Sequence, residues 1–399
     1  MRQTMWIKAL AILFASFFSV QTVGYAAAGE ADQVEGVPEK VADQQMNQLD
    51  LTELKQYWNQ VITEYGGYLP ESQKGSLVDF IKGEKQFSLQ AWLESLLSFV
   101  FQELLINGKL LGSLILLTVL SMLLETLHQA FQQGTISKIA YAVVFMVLVI
   151  IALNSFHVAI DYALTAIQTM TGFVIALMPL LLALLSTSGG VMSAAFFHPV
   201  MIFLSGTSGM LIQYIVLPLL LLSTLLSVVS TLSDHYKATQ LAKLMRNLAI
   251  GILGVFMAIF LGVLSVQGTA TAVADGLGIR TAKFVTGNFV PVVGRMLTDA
   301  ADTVISASVL LKNTLGVAGV AIVLLIAAFP AIKIFAMSFM FKLAAAILQP
   351  LGNSPVIACL DTISKNMLYV FAALAIVTLM FFLSITVIIT AGNITMMMR

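Results

Sequence analysis

The 399-residue chain has one cysteine, Cys359, four histidines, and only 10% charged residues. A single thiol closes no intramolecular disulfide and assembles no thiolate metal site. Twenty Lys/Arg balance twenty Asp/Glu, so overall charge implies neither a nucleic-acid partner nor an acidic substrate. Catalytic motifs are missing too: there is no phosphate loop ending in Gly-Lys-Ser/Thr, no His-Glu-x-x-His and no Gly-x-Ser-x-Gly elbow. His128, His157, His198 and His235 stand apart near span ends, where packing or interfacial roles outweigh metal ligation. Glu125 and Asp161 lie close enough to span ends to snorkel, and no chain of buried carboxylates like that of a proton-coupled pump is evident. The expectation is a protein that is not an enzyme and takes no cofactor. Any energy it uses comes from another protein.

What the chain does have is apolar surface. It is 59% hydrophobic with a mean hydropathy of +0.96, far beyond a soluble globular composition. Charge is unevenly spread. Residues 29–103 carry thirteen Asp/Glu against five Lys/Arg, whereas residues 104–399 carry seven against thirteen. The reading is an all-α, polytopic helical membrane protein with a small extracytoplasmic helical N-terminal domain.

Residues 1–28 read as a signal peptide, with Arg2 and Lys8 before an apolar run and Ala26-Ala27-Ala28 as a small-residue cleavage site. An uncleaved anchor is the alternative, and both place residue 29 onward outside the cytoplasm. In the acidic region, residues 29–103, Leu51, Leu54, Trp58, Val61, Ile62 and Tyr65 share one helical face. Asp50 is its predicted N-cap and Gly66-Gly67 its stop. A second helix from about Ser88 sets Leu89, Trp92, Leu93, Leu96, Leu97, Val100 and Phe101 on one face. It either lies along the membrane surface or packs on the first.

The multi-pass domain covers residues 104–399. Hydropathy predicts spans at 110–127, 139–160, 163–186, 248–267, 315–341 and 367–390, each near the ~20 residues that cross a bilayer. Residues 191–231 are too long for one ordinary pass. Placing Lys237, Lys243 and Arg246 inside favours a hairpin there, for seven to ten spans in all. Proline spacing (Pro179 and Pro218, Pro291 and Pro330) raises a parallel internal repeat, residues 160–268 and 272–390, of the kind found in transporters.

The segment 269–313 breaks the apolar pattern with Asp275, Arg280, Lys283, Asn288, Arg295, Asp299, Asp302 and Lys312. It cannot face lipid throughout, because an ionised side chain at mid-bilayer costs at least ~2.5 kcal/mol. A re-entrant element broken around Pro291 and Gly294 and lining a polar pathway is one reading. An interfacial loop with flat-lying helices is the other.

Particular residues carry a family resemblance. These are Lys283-Phe284, Asn288-Phe289-Val290-Pro291-Val292-Val293-Gly294, Asp299-Ala300, Asp302-Thr303-Val304-Ile305 and Leu310-Leu311-Lys312-Asn313, with the acidic leader, residues 110–131 and Ser188-Gly189-Gly190. Together, over nearly the whole mature chain, they resemble the stage III sporulation protein AE family of Bacillus-type endospore formers. That resemblance implies a membrane subunit of the channel or secretion complex in the mother-cell membrane around the engulfed forespore. Its implied partners are the other stage III A proteins, namely an ATPase, ring-forming and small membrane subunits, and indirectly a forespore-membrane protein. It supplies no catalytic residues. Arg280, Lys283, Asn288, Pro291, Gly294, Arg295, Asp299, Asp302 and Lys312 are the candidate polar pathway or assembly motif. A stand-alone secondary transporter is the alternative, and a scaffold a third reading.

Overall fold

The computed structural model describes residues 41–42, 44–46, 49–69, 75–82, 89–130, 135–232, 238–289, 293–352 and 354–397, with 82, 89, 127–130, 135–138, 232, 268–274, 276–289, 293–301 and 392–397 as backbone only. The predicted signal peptide and most of the acidic leader lie outside these residues. The described secondary structure is helical. Helix α1 (Thr52–Tyr65) ends in a short 3₁₀ turn and is followed by α2 (Leu77–Lys82) and α3 (Leu89–Ile106). Then come α4 (Gly108–Ala130), α5 (Thr135–Thr187) and α6 (Val191–Leu211), a π-turn at Ile212–Val216, and α7 (Leu217–Leu232). The last three are α8 (Thr239–Phe289), α9 (Val293–Leu348) and α10 (Pro355–Met397).

Helix α10 is the axis. Val356, Cys359, Ile363, Met367, Val370, Leu374, Val377 and Phe381 recur at three- and four-residue steps and are fully buried. It touches α5 and α9 on one side and α7 and α8 on the other. Helices α4 and α1 share the α5–α9 side, and α6 bridges α5 and α8. Small residues set the closest crossings: a Cβ on Gly316 would overlap Ile389 of α10, and one on Gly319 would overlap Leu177 of α5.

Among the described residues, six helical stretches are long and apolar enough to cross a membrane: Gln90–Thr126, Ile139–Thr187, Val191–Thr231, Thr239–Gln267, Asp302–Leu351 and Pro355–Ala391. This corrects the expectation of seven to ten. The windows 139–160 and 163–186 fuse into α5, because no glycine or proline separates them and His157 and Asp161 pair within the helix at 3.5 Å. The stretch 191–231 is also one rod. A π-turn at its middle carries the chain from α6 into α7 without a reversal, so the predicted hairpin is not formed. Nor do the described residues show a clear repeat: α5 runs through the supposed start at 160, and α8 runs through the supposed junction at 268–272.

The rods are long. Ile139–Thr187 has 49 residues, about 70 Å at 1.5 Å per residue. Their basal end is marked by Ser354 donating to Glu125 (3.0 Å) and Ser230 meeting Thr239 (2.7 Å). At the far end, Gln267 donates to the Phe196 carbonyl (2.7 Å).

Candidate functional site

Three polar features interrupt the apolar bundle. The first is a belt halfway along it. Helix α1 buries Leu54, Trp58, Val61 and Tyr65 and exposes Glu53, Lys55, Gln56, Asn59, Gln60 and Glu64. The Asp50 carboxylate accepts the Thr52 N–H (3.0 Å), and hydrogen bonding from the Thr52 side chain and then its backbone holds its pKa below the ordinary aspartate value. The buried face docks on α5 and α9. Tyr57 meets Phe173 edge-on at 5.7 Å, and Tyr65 stacks on Phe329 with centroids 4.1 Å apart. Lys333 reaches over both Tyr65 (5.4 Å) and Tyr162 (4.9 Å), a paired cation–π contact. Burial, reinforced by Glu64, pushes the Tyr65 phenol well above its ordinary range. At the same height Asn107 donates to Glu103 (3.0 Å), where α3 gives way to α4.

The second feature is a buried carboxylate at the far end. Chain reversal between α5 and α6 needs Gly189 at φ 96°, a left-handed value that glycine adopts freely. The Gly190 N–H then returns to the Leu185 carbonyl (2.9 Å), closing α5. The new helix α6 has no side-chain cap of its own. Asp275 supplies one from α8, accepting the N–H groups of Met192 (2.9 Å) and Ser193 (3.1 Å) while only 3% exposed. Its charge also sits favourably on the helix N-terminus. Asp275→Ala should lower stability by about 2 kcal/mol, the upper end for a lost cap. Asp275→Asn, which keeps one acceptor, should lose less. The thermal midpoint of detergent-solubilised protein reads both.

The third feature is Lys312, fully buried on α9, with Nζ donating to the Ile389 carbonyl of α10 at 2.9 Å. Nearby Ser308 donates to Gln45 (3.2 Å), tying the N-terminal region to the same stretch.

Of the sequence-predicted motif, Asp302 and Lys312 are described with side chains, and both lie on α9. Arg280, Lys283 and Asn288 are on the last turns of α8, and Gly294, Arg295 and Asp299 on the first turns of α9, as backbone only. Pro291 lies outside the described residues. The two helical arms thus flank the sequence-predicted break. Sequence reading named Asp275 as polar but missed its capping role, whose partners lie more than eighty residues away. It also missed Lys333, an isolated lysine inside an apolar run. Among the described residues no group of three or more His, Cys, Asp or Glu is placed to hold a metal ion.

Residues 72–392 match the family model for stage III sporulation protein AE. The chain is 61% identical over 402 residues to the stage III sporulation protein AE of Bacillus subtilis (strain 168), with all of both chains covered. No solved structure matches it. The six candidate spans make this a multi-pass membrane protein, and the two matches show that the chain belongs to the stage III sporulation protein AE family.

Proposed function

We propose that this chain is a non-enzymatic integral membrane subunit of the channel or secretion complex between mother cell and forespore. It sits in the mother-cell membrane around the engulfed forespore, with other stage III A proteins as its partners. One observation carries the reading: α1 is clamped to the membrane bundle with its charged face outward. A flank of that kind offers water-borne partners a rigid polar surface on an otherwise apolar body. Six passes place Lys243, Arg246, Lys342 and Lys365 toward one end and the Asp275 cap at the other. The positive-inside rule assigns the basic end to the cytoplasm and the α1 side to the space between the membranes. The secondary-transporter reading leaned on an internal repeat and loses that support with it.

Arg280, Lys283, Asn288, Arg295 and Asp299, on the far-end arms, are the residues proposed to act in the pathway or in assembly. Single neutral variants Arg280→Gln, Arg295→Gln and Asp299→Asn in sporulating cells test this. Each should reach normal membrane levels and co-purify with its partner subunits, while late forespore gene expression falls. Full reporter expression would sink the pathway role. A fall that only follows lost protein would reduce the segment to a scaffold.

A further inference from the structure

Two side chains tie the far half of α8 to the backbone of α6. Gln267 donates to the Phe196 carbonyl (2.7 Å). About 12 Å further along α8, Asp275 accepts the Met192 N–H on one carboxylate oxygen (2.9 Å) and the Ser193 N–H on the other (3.1 Å). The two helices run antiparallel, so the later residue of α8 meets the earlier residues of α6. Each tie uses a backbone group that α6 leaves open. Met192 and Ser193 belong to its first turn, whose N–H groups have no partner inside the helix, and no side chain of α6 caps that end. The Phe196 carbonyl lies one turn before Pro199, and a proline inside a helix weakens the bonding of the turn that precedes it. An oxygen there has room for a donor from outside.

Asp275 is also the last of these ties before a change in the helix. Beyond it α8 continues to Phe289, and these final turns carry Arg280, Lys283 and Asn288. Gly276 and Gly278 follow Asp275 directly, and glycine is a weak helix former. The helix is thus anchored immediately before the stretch least able to hold its own direction. The anchor is specific in geometry, because a carboxylate with both oxygens engaged by successive amides has little freedom to turn. It is also shielded, since Asp275 is 3% exposed, and a buried carboxylate is tolerated only where such bonds satisfy it.

We infer that Asp275 is a positioning residue: clamped on the α6 amides, it sets where the α8 arm with Arg280, Lys283 and Asn288 stands relative to the α5–α6 turn. The contact joins two parts of the chain that lie far apart in sequence, Ser188-Gly189-Gly190 and the polar segment 269–313. The glycine turn presents the amides of α6, and Asp275 receives them. Asparagine keeps an acceptor for one amide and still caps, so a residue that acts by position tolerates it. A residue that acts by its charge does not. The inference rests on the role proposed above for the arm, but the arm's geometry and its role are read by separate measurements.

The test uses the full chain in membranes, with the buried Cys359 replaced by serine and nitroxides at Thr286 on the arm and at the exposed Ile175 of α5. Double electron–electron resonance should give one narrow distance peak in the parent. Asp275→Ala should lose that peak while the protein stays in the membrane, and the unlabelled variant in sporulating cells should lose late forespore gene expression. Asp275→Asn should keep the peak and most of the expression. An alanine variant with the parental peak overturns the inference. So does an asparagine variant with the parental peak and no expression, because the carboxylate would then act by its charge. Should the alanine variant not accumulate, Asp275→Ser takes its place, being small and too short to reach the α6 amides, and a parental peak there overturns the inference equally. A lost peak with full expression would uphold the positioning by Asp275 and instead remove the arm from the proposed function.

Discussion

Exchanging Lys312 for glutamate should remove the protein from the membrane fraction of sporulating cells. The lysine is fully buried, and its Nζ donates to the Ile389 carbonyl. Glutamate would set an acceptor against that acceptor, leaving a buried charge with no donor. A buried charge left without a compensating partner costs about 3–5 kcal/mol, a large part of a typical total of ~5–15 kcal/mol. Lys312→Met is the informative counterpart. It keeps the stem's volume and removes the cost of burying an ammonium, so it should accumulate at the wild-type level or above. Quantitative blotting of membranes with spore counts separates the two properties. The methionine variant should be abundant and support few spores, and full spore counts would make the ammonium a packing strut with no further role.

Gly319→Leu should be damaging at one of the closest helix crossings of the bundle interior. Helix α9 presses Gly316 onto Ile389 of α10 and, one turn later, Gly319 onto Leu177 of α5. Four added carbons at the second site must push α5 away, and overpacking typically costs about 1–3 kcal/mol. The damage would spread, because α1 rests on α5 and α9 together through Phe173 and Phe329. Limited proteolysis should therefore release the N-terminal helices from the variant before the bundle itself is cut. Gly319→Ala should be far milder, since a single Cβ displaces only the flexible end of Leu177. If the leucine variant resists protease as the parent does, the α5–α9 crossing is looser than its geometry indicates.

Helix faces were legible in the sequence where polar and apolar residues compete. In α1 the periodicity named Leu51, Leu54, Trp58, Val61, Ile62 and Tyr65, all buried except the half-buried Ile62, while the N-cap is Leu51, one residue after the predicted Asp50, whose carboxylate accepts the Thr52 N–H. In α3 the apolar residues run around most of the helix, and the polar ones, Gln90, Glu94, Ser95, Ser98, Gln102 and Glu103, do not single out one buried face. Trp92 and Phe99 are buried, but Leu93, Leu97 and Phe101 of the expected stripe point outward. Span counting failed for a related reason. Hydropathy registers the dip at His157 and Asp161 but not whether the backbone turns there, and an i,i+4 pair keeps it straight. The site was legible as composition only: Asp275 and Lys312 announce themselves as charges in an apolar chain, while their partners, the α6 amides and the Ile389 carbonyl, are backbone groups without a sequence signature.

The clamp of α1 also has a consequence in time. Tyr65 finds its neighbours in part at Phe329 and Lys333, which follow it by about 270 residues of synthesis. At roughly 5–20 residues per second the ribosome needs about 15–50 s to deliver them. For that interval the N-terminal helices have no finished partner surface. The segment is therefore no autonomous module: cut away and produced alone, it should stay largely unfolded, and it reaches its native form only as the last third of the chain arrives.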